Sequence, residues 1–418
     1  MKKTLCIALL TILVGCSHKD ETTPLPDIDE STDSRDSARD TPVADTTPEA
    51  DALADADATA DVPQDVEADA DEAPDATDTR ISSLMDQRFG FGKDTIGGAE
   101  GILTEITSLE DDSLLNALTD DVPRWIYFNP SLDGKVWLVP NGTTEIAPFK
   151  TIDGRGVSIT WQYGYPNNNL GINEDPVQTP VKTGQLNAQK GQVIMTEITH
   201  VGDLGWPYVY EQPWFSNGAT DGLEIWGGSN YWIHRNTWMR MSDESLGVYH
   251  LGGVPDLVTF SYNTFSETKT GSLIGGQVAD GRGRITIAHN LYNEMVNGRS
   301  PGEIRNMDAH IFNNVVNYVN DEGMRVGVNG RVVSEANVFD MGCNVGVSGP
   351  RVIRYVLPNE MPLGVLHSSM DIVAEESSGC PATLDEGFIG PPSPRPFDIP
   401  YTYKLLTTRQ EILGAAGR

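Results

Sequence analysis

Apolar and polar residues alternate over short segments between about residue 230 and residue 340, and an asparagine closes each segment. These asparagines are separated by 27, 27, 24 and 23 residues and are Asn236, Asn263, Asn290, Asn314 and Asn337. An isoleucine or phenylalanine stands three positions before each of them, except that Ser334 precedes the last. An aromatic residue, or valine in one case, stands two positions after each. A repeat of this length predicts a solenoid, whose units bury their apolar faces by stacking on one another.

The repeated segments are rich in β-forming residues, so each predicts a short strand. They cover residues 231–236, 258–263, 285–290, 309–314 and 332–337. Asparagines at the same turn of successive coils would hydrogen-bond to one another along the stack. The pattern therefore predicts an all-β fold, a right-handed parallel β-helix with an asparagine ladder. The alternative is a β-sandwich whose turns contain asparagine by chance.

The first residues have the pattern of a secretory signal. Lys2 and Lys3 precede an apolar run over residues 5–14, which is too short to span a bilayer. The run ends in Leu13-Val14-Gly15-Cys16, which resembles a bacterial lipoprotein box. That resemblance implies cleavage before Cys16 and attachment of lipid to its sulfur. An ordinary cleaved signal, with an incidental cysteine, is the alternative.

The composition changes sharply after the signal. Residues 20–80 contain 21 Asp or Glu against three Arg, with Ala, Thr and Pro between them and almost no aromatic residues. Such a segment cannot bury enough apolar surface to offset its chain entropy. We therefore expect a lipoprotein signal over residues 1–16, a disordered acidic linker over 17–80 and one folded domain over 81–418. The protein would be secreted and anchored by its lipid to the outer membrane or cell surface, with no other membrane contact.

Charge and cysteine content restrict the partners and the redox setting. The net charge is −31 and no basic stripe is present, which argues against a nucleic-acid partner. Two of the four cysteines, Cys343 and Cys380, lie within the predicted domain. A disulfide between them is plausible in an exported protein and would stabilise by roughly 3–4 kcal/mol. We expect a monomer.

Several ordered motifs between about residue 88 and residue 340 extend the interpretation. They are the glycine-rich segment 89–101, the turn 151–156, the segment 230–234, the Lys269–Gly275 region, Ala288-His289-Asn290 and Arg299-Ser300-Pro301. In this order and spacing the chain resembles a pectate lyase of the pectate/pectin lyase-like polysaccharide lyase superfamily. The resemblance implies cleavage of pectate, or polygalacturonate, by β-elimination.

That reaction removes a weakly acidic proton from C5 of a uronate and expels the C4 oxygen. Positive charge held in a fixed position must therefore neutralise the C6 carboxylate beside that proton. Arg299 matches the family's catalytic base, and Lys269 and Arg305 match its substrate-binding cations. Arginine is an unusual base because its free guanidinium holds its proton strongly. Because neighbouring coils stack at about 4.8 Å, these side chains should line one groove.

The resemblance also implies a calcium ion as cofactor. Asp221 lies eleven residues before Trp232, where the family has a calcium-binding aspartate. An ungapped count back from Val258 gives His250 and Leu246 for the remaining ligands, and neither supplies a hard oxygen. Asp243 and Glu244 could replace them if the intervening loop is longer. We therefore expect a weak calcium site built on Asp221 and Glu244, with their carboxylates within about 6 Å of each other.

The chain also departs from the family pattern. His234 and Arg235 stand where the family has aspartate and histidine, and the spacings on both sides of Arg299 are one residue longer. Gly298 could absorb the first insertion as a bulge. Two alternative functions therefore remain at this stage. One is a calcium-independent, pectin lyase-type enzyme that relies on cationic side chains. The other is a non-catalytic β-helix that binds an acidic polysaccharide.

Overall fold

The computed structural model describes residues 76–163, 184–202, 221–241, 243–276, 281–295, 298–317, 322–340, 351–355, 364–373, 383–384 and 394–417. The predicted signal with Cys16, the linker as far as residue 75, Cys343 and Cys380 lie outside these residues.

Short strands dominate the described residues, which also contain three α-helices and two 3₁₀ turns. The α-helices are α1 (Ala76–Met85), α2 (Ser113–Thr119) and α3 (Arg409–Ala415), and the 3₁₀ turns are Phe91–Asp94 and Pro130–Leu132. The strands are β1 (Ile102–Ile106), β2 (Arg124–Phe128), β3 (Val136–Leu138), β4 (Thr143–Ile146), β5 (Lys150–Asp153), β6 (Ile159–Gln162), β7 (Gln185–Ala188), β8 (Val193–Thr196), β9 (Ile198–Val201), β10 (Leu223–Ile225), β11 (Ser229–His234), β12 (Thr237–Met239), β13 (Glu244–Val248), β14 (Asp256–Ser261), β15 (Thr264–Ser266), β16 (Thr270–Ile274), β17 (Gly283–Ala288), β18 (Leu291–Asn293), β19 (Glu303–Ile304), β20 (Met307–Phe312), β21 (Val315–Asn317), β22 (Glu322–Val326), β23 (Arg331–Glu335), β24 (Val338–Asp340), β25 (Arg351–Tyr355), β26 (Val365–Ser369), β27 (Ile372–Val373) and β28 (Thr383–Leu384).

The strands form three parallel sheets, and each coil of the chain contributes one strand to each sheet. Sheet I has the order β1-β2-β5-β8-β11-β14-β17-β20-β23-β26, sheet II runs from β3 to β27 in steps of three, and sheet III runs likewise from β4 to β28. All the pairings are parallel, as expected when each strand returns after a full coil. The prediction of a right-handed parallel β-helix is confirmed.

The apolar positions of the sequence repeat form continuous rows inside the coil. In sheet I, Ile233, Phe260, Ile287 and Ile311 occupy one register position, and Ser334 continues the row. The aromatic position two residues after each asparagine forms a second row in sheet II. In that row the rings of Phe265 and Tyr292 stack with their centroids 4.5 Å apart. These rows are buried in one core that runs through the solenoid.

The asparagine ladder is present and fully buried. The side-chain Nδ2 of each asparagine donates to Oδ1 of the next, at 3.3, 3.0, 3.0 and 2.9 Å along the series from Asn236 to Asn337. Each Oδ1 also accepts from the backbone N–H of the preceding asparagine. Asp371, which sequence reasoning missed, ends the series by accepting from Nδ2 of Asn337 at 3.0 Å.

The three corners of the coil differ in regularity. From β11 to β24, the corner between sheets I and II always contains two residues, the first with positive φ and the second a ladder asparagine. The corner between sheets II and III varies, covering 267–269 in one coil and 294–302 in the next. The corner between sheets III and I varies as well, from 226–228 to 249–255. One corner is therefore fixed over these coils, while the other two change in length.

Segments near the first and the last described residues of the chain pack against the coil. Helix α1 begins at Ala76, so the predicted linker boundary at residue 80 falls within it. Arg80 Nε lies 2.7 Å from Oδ2 of the buried Asp153. Near the other end, Glu335 Oε2 accepts from the Tyr403 hydroxyl at 2.7 Å, and its Oε1 accepts from Arg395 at 2.5 Å. None of the helices in the described residues combines the length and apolarity needed to cross a membrane.

Candidate active site

Three carboxylates converge where the chain enters sheet III. Asp221 precedes β10, Asp243 precedes β13, and Glu244 is the first residue of β13. One oxygen from each lies within 4.8 Å of the others, so the three could share a cation. The backbone N–H of Glu244 donates to Asp221 Oδ1 at 3.1 Å and holds the two coils in this relation. We call Asp221, Asp243 and Glu244 the acidic triad.

The acidic triad is crowded with negative charge. Burial, followed by the charges of Glu224 and Asp243, raises the pKa of Asp221 to about 8. Burial, together with Asp243 and Asp221, raises the pKa of Glu244 although Arg299 opposes the shift. Both directions show that the ionised carboxylates are short of compensating positive charge, which a bound divalent cation would supply.

The structure explains why an ungapped count failed to find the second and third carboxylates. Leu246 lies in the apolar core, and His250 Nε2 contacts the Met307 sulfur at 3.4 Å. The loop after β13 covers residues 249–255, whereas the corresponding loop after β10 covers only 226–228. The longer loop moves the acidic pair back to Asp243 and Glu244.

Arg299 lies between the acidic triad and a second buried carboxylate. Its Nη1 is 3.1 Å from Glu244 Oε1, and its Nε is 3.1 Å from Glu303 Oε2. Thr270 is bridged to Gly298 and Leu273 pairs with Glu303, so three steps along β16 face five along the neighbouring coil. The irregular segment between these pairs is a bulge that begins at Arg299, whose carbonyl accepts from the Ser272 N–H at 3.3 Å and whose φ is 56°.

The remaining predicted cations flank the same region. Lys269 precedes β16, and its Nζ lies 3.5 Å from Asp243 Oδ1. Arg305 follows β19, and its Nη2 lies 2.5 Å from Glu303 Oε1. The structure therefore connects Asp221, Glu244, Lys269, Arg299 and Arg305 through a continuous set of polar contacts along sheet III.

Sequence reasoning missed three charged residues of this region. Glu303 contacts both Arg299 and Arg305, Arg325 reaches Glu303 from β22, and Glu224 raises the pKa of Asp221. Glu303 stands two residues before Arg305, the spacing that places two side chains on the same face of a strand. That spacing was the available signal. In this region of sheet III, acidic side chains therefore cluster on the coils of β10 and β13, and arginines cluster on the coils of β19 and β22.

Comparison with known proteins shows that the chain is similar to pectate lyases. Residues 181–350 match the family model described as pectate lyase. Two Arabidopsis thaliana proteins, probable pectate lyase 6 and putative pectate lyase 21, are each 28% identical over 275 residues. The first match covers 63% of this chain and 56% of the relative, and the second covers 62% of each. The chain thus spans less than two thirds of these relatives, and its similarity to pectate lyases is confirmed over that part.

Solved structures show the same fold. Jun a 1, the major allergen from cedar pollen, is 21% identical with a TM-score of 0.60, covering 82% of this chain and 96% of that one. A pectate lyase from Bacillus sp. N165, solved in complex with trigalacturonate, is 18% identical with a TM-score of 0.52. That comparison covers 79% of this chain and 98% of the Bacillus protein.

Proposed function

We propose that this protein is a calcium-assisted pectate lyase that cleaves polygalacturonate by β-elimination. The observation that carries the proposal is the position of Arg299, which contacts the acidic triad through Glu244 and the arginine-rich part of the groove through Glu303. Similarity to pectate lyases over residues 181–350 supports the reaction class. The trigalacturonate bound to the Bacillus enzyme supports a uronate polymer as substrate.

The acidic triad fits a calcium ion. Calcium prefers several oxygen ligands, and carboxylates from Asp221, Asp243 and Glu244 converge from two coils. The raised pKa values of Asp221 and Glu244 show that their negative charge is not compensated by the protein alone. When bound, calcium would neutralise a substrate carboxylate and so make the adjacent C5 proton more acidic. We expect weak binding, with a dissociation constant of roughly 10⁻⁴–10⁻³ M.

The protein's own side chains would carry out the remaining steps. Lys269 and Arg305 hold uronate carboxylates in the groove and orient the sugar chain. Arg299 accepts the C5 proton as the neutral guanidine, after its guanidinium has given a proton to solvent. The electrons of the C5–H bond form the C4–C5 double bond. The C4–O bond breaks with its electron pair on the departing oxygen, which takes a proton from water as the leaving chain is released. The product therefore carries a new unsaturated uronate at one end.

The same proposal places the enzyme outside the cell. The lipoprotein-like ending at Cys16 and the acidic segment after it support lipid anchoring to the outer membrane or cell surface through a flexible spacer. We include in this proposal a monomeric state and a disulfide between Cys343 and Cys380. Mass spectrometry of the mature protein, before and after reduction, would test the lipid and the disulfide.

One assay tests the activity and the metal together. The purified protein is incubated with polygalacturonate and with highly methylated pectin, with added calcium or with a chelator, and the unsaturated product is followed by its ultraviolet absorbance. We expect product from polygalacturonate that the chelator abolishes. Chelator-resistant activity on methylated pectin would instead indicate the calcium-independent enzyme. Binding without any product would indicate a non-catalytic polysaccharide-binding protein.

Arg299→Ala tests the proposed base. We expect its turnover rate to fall by about 10²–10⁴-fold, because a positioned base contributes about that much. Arg235→Ala is the matched control, since Arg235 is an exposed arginine at the opposite corner, 3.9 Å from Glu197. The assignment fails if Arg299→Ala retains the wild-type rate, or if both variants lose activity equally.

A further inference from the structure

Three arginines contact the single carboxylate of Glu303. Its side chain is fully buried in β19. Oε1 contacts Nη2 of Arg305 at 2.5 Å, and Oε2 contacts Nε of Arg299 and Nη1 of Arg325, each at 3.1 Å. Three guanidinium groups from three separate segments therefore meet on one carboxylate. We call Arg299, Arg305 and Arg325 the arginine trio.

The register of the strands explains why the Glu303 side chain lies on the outer face of sheet III. One register position in sheet III is occupied by Leu273, Glu303 and Arg325. The next position is occupied by Ile274, Ile304 and Val326, which point into the core. Glu303 therefore faces outward from the sheet. A buried carboxylate is costly unless it is paired and hydrogen-bonded. The arginine trio provides this pairing by covering both oxygens.

We propose that Glu303 is a positioning residue of the lyase site, which fixes Arg299 and Arg305 relative to each other. The proposal rests on the function proposed above, in which Arg299 is the base and Arg305 binds a substrate carboxylate. The need for such a residue follows from the bulge. Arg299 is the first residue of the irregular segment between the pairs Thr270–Gly298 and Leu273–Glu303. Its carbonyl still accepts from the Ser272 N–H, but its φ of 56° departs from strand geometry, so the strand alternation does not set the direction of its side chain.

The negative charge of Glu303 also changes the electrostatics of the arginine trio. Before Arg299 gives up its proton, the four side chains carry three positive charges and one negative charge, so the resting cluster keeps a net positive charge that suits an anionic sugar polymer. Glu303 also lets three like charges stay close together. Without its charge the guanidinium groups would repel one another and turn toward solvent. The spacing between base and substrate-binding cation would then be lost, and a displacement of about 1 Å can reduce a rate by about 100-fold.

Glu303→Gln tests the proposal, because it removes the charge and keeps the shape. Glu294→Gln is the matched control, since Glu294 is an exposed acid on the same coil. We expect Glu303→Gln to lower kcat by about 10–100-fold and to raise KM several-fold, while calcium affinity, measured by calorimetry, stays within twofold. The control should match wild type in all three. A kcat and KM within twofold of wild type for Glu303→Gln would overturn the proposal.

A double-mutant cycle separates positioning from general damage to the fold. If Glu303 acts through Arg299, adding Glu303→Gln to Arg299→Lys should reduce kcat by much less than it does in the wild-type background. Fully additive effects would refute this route. Should Glu303→Gln lose the β-sheet signal in circular dichroism, Glu303→Asp replaces it, since aspartate keeps the charge but is too short to reach the whole trio. A wild-type kcat and KM for Glu303→Asp would refute the proposal.

A crystal structure of Glu303→Gln distinguishes failure of this proposal from failure of the proposed function. If the wild type neither binds nor cleaves polygalacturonate, the proposed function fails. The variant structure still decides whether Glu303 positions the arginine trio. Displaced Arg299 and Arg305 side chains would support the role, and unchanged side chains would overturn it.

Discussion

Replacing Asn290 by alanine should severely destabilise the solenoid. Asn290 is fully buried, and its Oδ1 accepts from the backbone N–H of Asn263 at 2.9 Å and from its Nδ2 at 3.0 Å. Alanine would leave both of these buried donor hydrogens without a partner. An unsatisfied buried donor costs about 1–3 kcal/mol, so the loss should be about 2–6 kcal/mol. The Asn290 Nδ2 also donates to Asn314 Oδ1 at 3.0 Å and to the Phe260 carbonyl at 3.1 Å. Asn314 Oδ1 keeps its bond from the Asn290 backbone N–H, whereas the Phe260 carbonyl loses this donor.

Urea unfolding followed by far-ultraviolet circular dichroism measures this loss. Asn317→Ala is the matched control, because Asn317 is only partly buried and its side chain donates to Asn293 Oδ1 at 2.8 Å. We expect about 1 kcal/mol for the control. Since solenoids need not unfold in a single step, the midpoint and the unfolding rate should both be compared. If Asn290→Ala shifts them no more than Asn317→Ala, the ladder does not stabilise the stack.

Three further predictions concern charged groups. The pKa of Asp221 is raised to about 8 in the folded protein, whereas in the unfolded chain it is about 4. Between these two pH values the folded protein keeps a proton that the unfolded chain releases. The metal-free protein should therefore lose stability as the pH rises from about 4 to about 8. Asp221→Asn should lose less, and calcium should restore only the wild type; parallel melting curves at about pH 5 and about pH 8 would contradict this. Burial raises the pKa of Asp371, so Asp371→Asn should gain roughly 1 kcal/mol, because its amide oxygen can still accept from Asn337 and the Ser334 and Ser368 hydroxyls, which donate to Asp371 Oδ2, can rotate to accept from the new amide; a marked loss in melting temperature would show that the charge is needed. A chain beginning at Ala76 should be more stable than one beginning at Ile81 by roughly 1–2 kcal/mol, because only the longer one keeps Arg80 on Asp153; equal melting temperatures would refute the contact's importance.

The fold could be predicted from the sequence because one physical requirement recurs in five successive coils. An asparagine that bonds both to the next asparagine and to a backbone carbonyl of the preceding coil must stand at a fixed distance from the inward-facing residues around it. The rows through Ile233 and Trp238 therefore appear directly as sequence periodicity. Asp371 escaped detection because aspartate can replace only the accepting half of an asparagine, and one such residue does not look like part of a repeat.

The site was less predictable, because its residues depend on loop lengths and not on the repeat. Asp243 and Glu244 could be proposed as alternatives, but only the length of the loop after β13 selects them over His250 and Leu246. Glu303 escaped detection because a single glutamate beside an arginine is common in surface strands. Its contacts with Arg299 and Arg325 depend on a bulge whose position sequence spacing does not determine.

The corners of the coil differ in how well they can accept insertions during evolution. A residue added between His289 and Asn290 would move a ladder side chain out of line and break contacts in two neighbouring coils at once. An insertion between sheets II and III disturbs no ladder, and segments as different as 267–269 and 294–302 already coexist there. Length variation is thus kept out of the ladder corner and falls on the other two, one of which carries Lys269 and Arg299. The ladder fixes the scaffold by its own hydrogen bonds, while the corner with Lys269 and Arg299 can accept insertions.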